Sequence, residues 1–194
     1  MRPLGTVPDT RPYPWPYDGT WLIASTAVLL CGWQEAFAGM GDQDAAALAG
    51  RAADQWAAAG GLVVALSHAS LPARPVWLPA SGGRGATPLA VPNSTVALTA
   101  YGWDGCYGSA LEAVLRSRRI THVLLAGLAA ELTVDSTVRT LNDRGFECLV
   151  LTDACSAVDT DLLGHAQHSL TMSGGIFGAL GSAMEVLDRL KEAA

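Results

Sequence analysis

VLLAGLAAELTVDSTVRTLNDRG, residues 123–145, reads as three pieces in succession. Val123 to Ala126 is a short apolar run, as expected for a buried strand. Gly127 to Ala130 is a turn of small residues, and Glu131 to Arg144 is an amphipathic helix that Gly145 stops. A strand-to-helix corner of this kind aims backbone N–H groups and the positive end of a helix dipole at one spot. Thr133 sits one turn inside the helix, at that spot.

Outward from this corner the same alternation repeats. Thr26 to Trp33 (TAVLLCGW) is a continuous apolar run that suits a central parallel strand. Asp44 to Ala59 has Leu48, Ala52, Gln55 and Trp56 at helical spacing and ends at Gly60-Gly61. Leu62 to Ser67 and Thr95 to Thr99 read as further strands, and Ser109 to Arg118 as a helix whose closing arginines complement its dipole. Glu147 to Leu151 is a fifth strand and Asp161 to Met172 another helix. Ile176-Phe177 is expected as a short sixth strand before a last helix from Ser182 to Lys191. The pattern predicts a three-layer, Rossmann-like α/β domain, with a mostly parallel sheet of about six strands and helices on both faces. Ligands in such sheets bind beyond the carboxyl ends of the strands.

Two stretches depart from the alternation. Residues 1–19 form a proline- and aromatic-rich arm that proline keeps extended, preceding a single domain over 20–194. The arm is expected to lie on its own domain or on a neighbouring subunit. Ala69 to Asn93, with five prolines and the run SGGRG, reads as a long irregular loop of the kind that serves as a lid, binding loop or interface. No lysine follows its glycines as a phosphate loop requires.

Composition narrows the function classes. Of 194 residues 50% are hydrophobic and only 15% charged, with a net charge of −6. An acidic, well-packed chain argues against nucleic acid or an anionic membrane as partner and for a subunit interface. The least polar run, Trp21 to Trp33, is too short to span a bilayer, and no signal peptide precedes it. Four cysteines without a CxxC pair point to reduced thiols, a cytoplasmic setting and no zinc. No GxGxxG follows the first strand, so no dinucleotide or other cofactor is expected.

Three separated blocks carry a resemblance: YPWPYDG (13–19), STVRTLNDRGFECLVLTDACSAVD (136–159) and GGIFG (174–178). With them the chain resembles the isochorismatase-like cysteine hydrolases from Tyr13 to Leu190, and looks closest to ureide amidohydrolases such as biuret and ureidoacrylate hydrolases. The resemblance implies an Asp–Lys–Cys triad, but the matching positions depart from it. In LLCGWQEAF (29–37) the aspartate position is Gly32. Aligned through Tyr107-Gly108 and Leu111, the lysine position is Ala100 and a pocket phenylalanine is Cys106. In GLAAELTV (127–134) the cysteine position is Thr133 and an aspartate is Glu131. The resemblance also implies a cis peptide and an oxyanion hole at Ala129-Ala130, small enough here to serve the same way.

An alcohol needs an adjacent base to attack a carbonyl, and Gly32 and Ala100 supply none. Asp104, Glu131 and Cys106 remain as candidate catalytic groups, each with a structural counterpart: a turn aspartate, a charge on a helix dipole, a small hydrophobe. The same counterpart applies to Cys31. His165 and His168 have i,i+3 spacing without a third ligand, which suits a solvated helix face, and His68 and His122 read as structural histidines at strand ends. Trp33 and Trp103 are expected to flank the vacated triad, with Cys106, Ala129, Ala130 and Thr133 completing an apolar-walled small-molecule pocket. Two functions follow. The first is a non-hydrolytic enzyme (cyclisation, isomerisation or elimination) or binder in specialised metabolism. The second is a catalytically dead subunit of a homo-oligomer, or of a hetero-oligomer with an active relative. A residual amidohydrolase using a non-family residue is a third alternative.

Overall fold

A computed structural model of the chain describes residues 3–70 and 96–193. Six parallel strands run in the order β3-β2-β1-β4-β5-β6: β1 (Thr26–Cys31), β2 (Leu62–His68), β3 (Val96–Ala100), β4 (His122–Leu128), β5 (Glu147–Ser156) and β6 (Ala179–Gly181). The helices are α1 (Gln43–Ala58), α2 (Leu111–Ser117), α3 (Asp135–Asp143), α4 (Thr160–Gly175) and α5 (Ala183–Glu192). This is the three-layer α/β arrangement that the alternating pattern predicts. The central strands read as unbroken apolar runs because both of their faces are covered; every residue of β1 and β4 is buried.

Two cores lie on either side of the sheet. On one face Leu48, Ala52 and Trp56 of α1 and Val186, Leu187 and Leu190 of α5 pack against Val28, Leu30, Leu124 and Leu149. On the other, Leu111 and Leu115 of α2 and Val138 and Leu141 of α3 pack against Leu29, Leu66, Val123 and Leu125. The N-terminal arm joins the first core through Trp15, and Trp21, just beyond the arm, stacks on Trp56 with ring centroids 5.6 Å apart; both are fully buried.

Three differences from the sequence reading have local causes. Ile176-Phe177 is not a strand, and Ile176 is exposed. The pairing of β6 with β5 starts only at Ala179, after Gly178, where any Cβ would crowd the Cys148 carbonyl. β5 runs on to Ser156, past Leu151, and its register against β4 breaks between Leu125 and Gly127. Instead of one helix from Glu131, a π-helical turn over Ala130–Val134 precedes α3. In that turn the Val134 N–H reaches the Ala129 carbonyl five residues back, at 3.2 Å. From residue 71 on, the irregular loop lies outside the described residues.

Caps fix the helices around the site. Asp42 accepts from the N–H groups of Asp44 and Ala45 at the start of α1. Asp153 in β5 accepts from the Ser182 hydroxyl and the Ala183 N–H, both at 2.6 Å, and so anchors α5. Among the described residues no helix is long and apolar enough to cross a membrane.

Candidate functional site

The carboxyl ends of β1 and β4 meet at the π turn. β1 stops at Cys31 because Gly32 takes φ +70°, a conformation glycine adopts without penalty. A Cβ at this position would overlap the Leu128 carbonyl oxygen and stand 3.3 Å from the Thr133 hydroxyl. Main chain therefore fills the place of a side chain at position 32. The cis peptide lies between Leu128 and Ala129, one bond before the Ala129-Ala130 position that the resemblance implies.

Thr133 is fully buried. Its hydroxyl donates to the Ala129 carbonyl oxygen at 3.1 Å, and the same oxygen accepts from the N–H groups of Leu132 and Val134. A threonine bonded back to the carbonyl four residues earlier loosens a helix locally, which fits the wide turn here. With its proton engaged and no carboxylate, imidazole or amine bonded to it among the described residues, this hydroxyl has no activating base among them.

Ala100 is fully buried at the end of β3, beside its register partner His68. The loop that follows is held from several directions. The Asp104 carboxylate accepts from the Cys106 N–H at 2.9 Å, closing an Asx turn. The Gly105 N–H donates to the Thr137 hydroxyl of α3 at 2.8 Å. Cys106 is half-buried, and burial, reinforced by the Asp104 charge, pushes its thiol up to about 12. Burial also holds the Cys31 thiol well above its ordinary value. Both are protonated at neutral pH and are poor nucleophiles.

Glu131 turns away from the corner. Its Oε1 accepts from the N–H groups of Val158 and Asp159 at 3.0 and 3.1 Å, holding the β5–α4 junction. Trp33 lines a groove of about 240 Å³ between Leu30 and the α1 residues Ala46, Gly50 and Arg51. Trp33, Ala129 and the half-buried Trp103 belong to the core under α1 and α5, whereas Ala100, Ala130 and Cys106 belong to the core under α2 and α3. Gly32 and Thr133 meet between the two groups. His165 and His168 are both exposed on α4. No set of three His, Cys, Asp or Glu side chains fit to hold a metal exists among the described residues.

Two neighbours were not singled out as ligand-binding from the sequence. Gln34 is fully buried and clamps the end of β2 with both ends of its amide: Nε2 donates to the His68 carbonyl at 2.9 Å and Oε1 accepts from the His68 N–H at 2.7 Å. The His68 ring places Nδ1 2.8 Å from the Gly102 carbonyl oxygen, while Nε2 is buried without a hydrogen-bond partner among the described residues. Burial lowers the ring to about 4, against the opposing effects of the Gly102 hydrogen bond and the Asp104 charge. The available signal was positional: a histidine closing a strand at the ligand-binding edge of a parallel sheet. His122, at the opposite end of the sheet, pairs with Thr121 and packs edge-on against Trp15.

Known proteins share this fold. The isochorismatase domain family matches residues 26–181. The uncharacterised isochorismatase family protein YecD of Escherichia coli O157:H7 is 33% identical over 73 residues, 38% of this chain and 39% of that protein. YwoC of Bacillus subtilis, also an uncharacterised isochorismatase family protein, is 28% identical over 125 residues, 58% of this chain and 63% of its own. The match thus spans less than two thirds of either relative. A cysteine hydrolase from Pseudomonas syringae pv. phaseolicola superposes with a TM-score of 0.79 at 18% identity, covering 100% of both chains.

Proposed function

The chain belongs to the isochorismatase family, and we propose that within it this protein has left Asp–Lys–Cys hydrolysis behind and uses the same corner as a non-hydrolytic small-molecule site. One observation carries the reading: the Leu128 carbonyl occupies the space of a side chain at position 32, while the facing Thr133 hydroxyl is engaged with Ala129. The motif blocks 13–19 and 136–159 favour descent from ureide amidohydrolases, with Gly32, Ala100 and Thr133 standing where base, lysine and nucleophile stood. Glu131, Asp104 and the two high-pKa thiols do not replace them. On this reading the apolar strand ends hold and shape a ligand for isomerisation, cyclisation or elimination, or bind it alone.

A second reading, a catalytically silent subunit, draws on the exposed apolar residues Leu162 and Met172 of α4 and the adjoining Ile176. Thermal melting against metabolite fractions from the source organism, with size-exclusion chromatography of the purified protein, separates the two. The pocket reading expects a ligand-dependent rise in Tm that Trp103→Ala abolishes. Absence of any shift, together with elution only alongside an active relative, would establish the silent subunit instead.

A further inference from the structure

Away from the corner, at the amino end of β5, a cleft of about 350 Å³ opens between the N-terminal arm and the end of α4. Its lining is Tyr13 and Tyr17 from the arm, Glu147 from the start of β5, and Ser173 to Ile176. The two tyrosine rings meet edge to face, with centroids 5.9 Å apart and planes at 75°. Tyr17 is 82% exposed, so burial does not fix where it stands. Its main chain is held instead: the Tyr17 N–H donates to Glu147 Oε1 at 2.6 Å, and the Gly19 N–H closes a turn onto the Pro16 carbonyl. A Cβ at Gly175 would stand 2.8 Å from the Tyr13 ring, so glycine lets the end of α4 close against that ring. A Cβ at Gly174 would meet nothing within 4 Å, and Ile176 is exposed, so the cleft is open to solvent.

The chemistry of the cleft is aromatic and negative. Its lining carries one carboxylate and, among the described residues, no lysine or arginine. Burial, reinforced by the Glu147 charge, raises the Tyr13 phenol above its ordinary value, so the ring beside the carboxylate is neutral. Both oxygens of Glu147 have a partner: Oε1 takes the Tyr17 N–H, and Nε2 of the buried His122 stands 3.4 Å from Oε2. Glu147 therefore offers a ligand its charge more than vacant acceptor positions. Aromatic ring faces attract cations, quaternary ammonium groups among them. We propose that this cleft binds a small organic cation with a quaternary ammonium head, seated against the Tyr17 ring and within the field of Glu147. A primary ammonium is disfavoured, because its three N–H donors lose water without finding three acceptors. The site is separate from the strand-end corner and does not depend on how that corner is read.

The test uses the full chain with ¹³C-labelled tyrosine rings and two matched probes: choline, and its tert-butyl analogue, in which carbon replaces the charged nitrogen. Choline is expected to move the Tyr17 ring signal, identified as the one lost in Tyr17→Phe. It should also bind about fivefold more tightly than its neutral twin. Tyr17→Leu should erase that preference, and Tyr17→Phe, which keeps the ring face, should retain it; the side chain is exposed, so both variants are expected to fold. Ethanolamine should bind more weakly than choline. Trp103→Ala should leave choline binding unchanged, since Trp103 follows the carboxyl end of β3, at the far end of the sheet. Equal binding of choline and its neutral twin, a Tyr17 signal that choline does not move, or a preference that survives in Tyr17→Leu would overturn the assignment. So would tighter binding of ethanolamine, or choline binding that Trp103→Ala abolishes.

Discussion

Gly32 and Thr133 define each other through the Leu128–Ala129 main chain. Neither can be altered alone without touching the carbonyl of Leu128 or of Ala129. Gly32→Ala introduces a Cβ into the Leu128 carbonyl at a positive φ, and is expected to cost about 3 kcal/mol, seen as a lower urea midpoint at constant m. An aspartate there should be worse, since the carboxylate has the same obstruction and nowhere to go. His68 gives a pH signature of known sign. Its folded value near 4 lies below the ordinary 6.5, so the unfolded chain binds the proton more readily. Stability from this group is therefore complete above pH 6.5 and falls as the pH drops towards 4, by up to about 3 kcal/mol. Among the described residues Asp104 is the charged group that acts on the ring, and it opposes the shift. Denaturant melts between pH 7 and 4 should show this slope, and His68→Gln should flatten it.

At the scale of elements, β1, β2, β4 and α1 were legible because their apolar pattern is the direct consequence of two-sided burial or of a single helical stripe. The sixth strand was misplaced because Ile176 and Phe177 have strand-like side chains, whereas pairing depends on the close approach that Gly178 permits. The π turn could not be read from residues 130–134, since it depends on how Thr133 and Val134 share one carbonyl oxygen. For the same reason sequence located the corner but not its internal bonding. Glu131 illustrates the difference: its position suggests dipole capping, but its Oε1 is bonded to a distant junction in the chain. Glu131→Ala should release the Val158 and Asp159 amides to fast hydrogen exchange and cost about 1–2 kcal/mol. Glu131→Gln, which keeps the acceptor, should preserve most of the protection.

Over the whole molecule, an all-parallel sheet with two packed faces holds the strand ends in register, and Trp15 of the N-terminal arm joins Trp21 in the core beneath α1. That scaffold matches the family along most of the chain, while the chemistry at its corner rests on a handful of side chains. Fold and function are therefore separable here: the first is carried by repeated apolar patterning, and the second is proposed to rest on Gly32, Ala100 and Thr133. The most direct measurement is ammonia release from biuret, ureidoacrylate and a panel of simple amides by the unaltered protein, Thr133→Ala and Thr133→Cys. No turnover is expected from any of the three, because even a thiol at position 133 lacks a base at position 32. Turnover by the unaltered protein that disappears in Thr133→Ala would contradict the account.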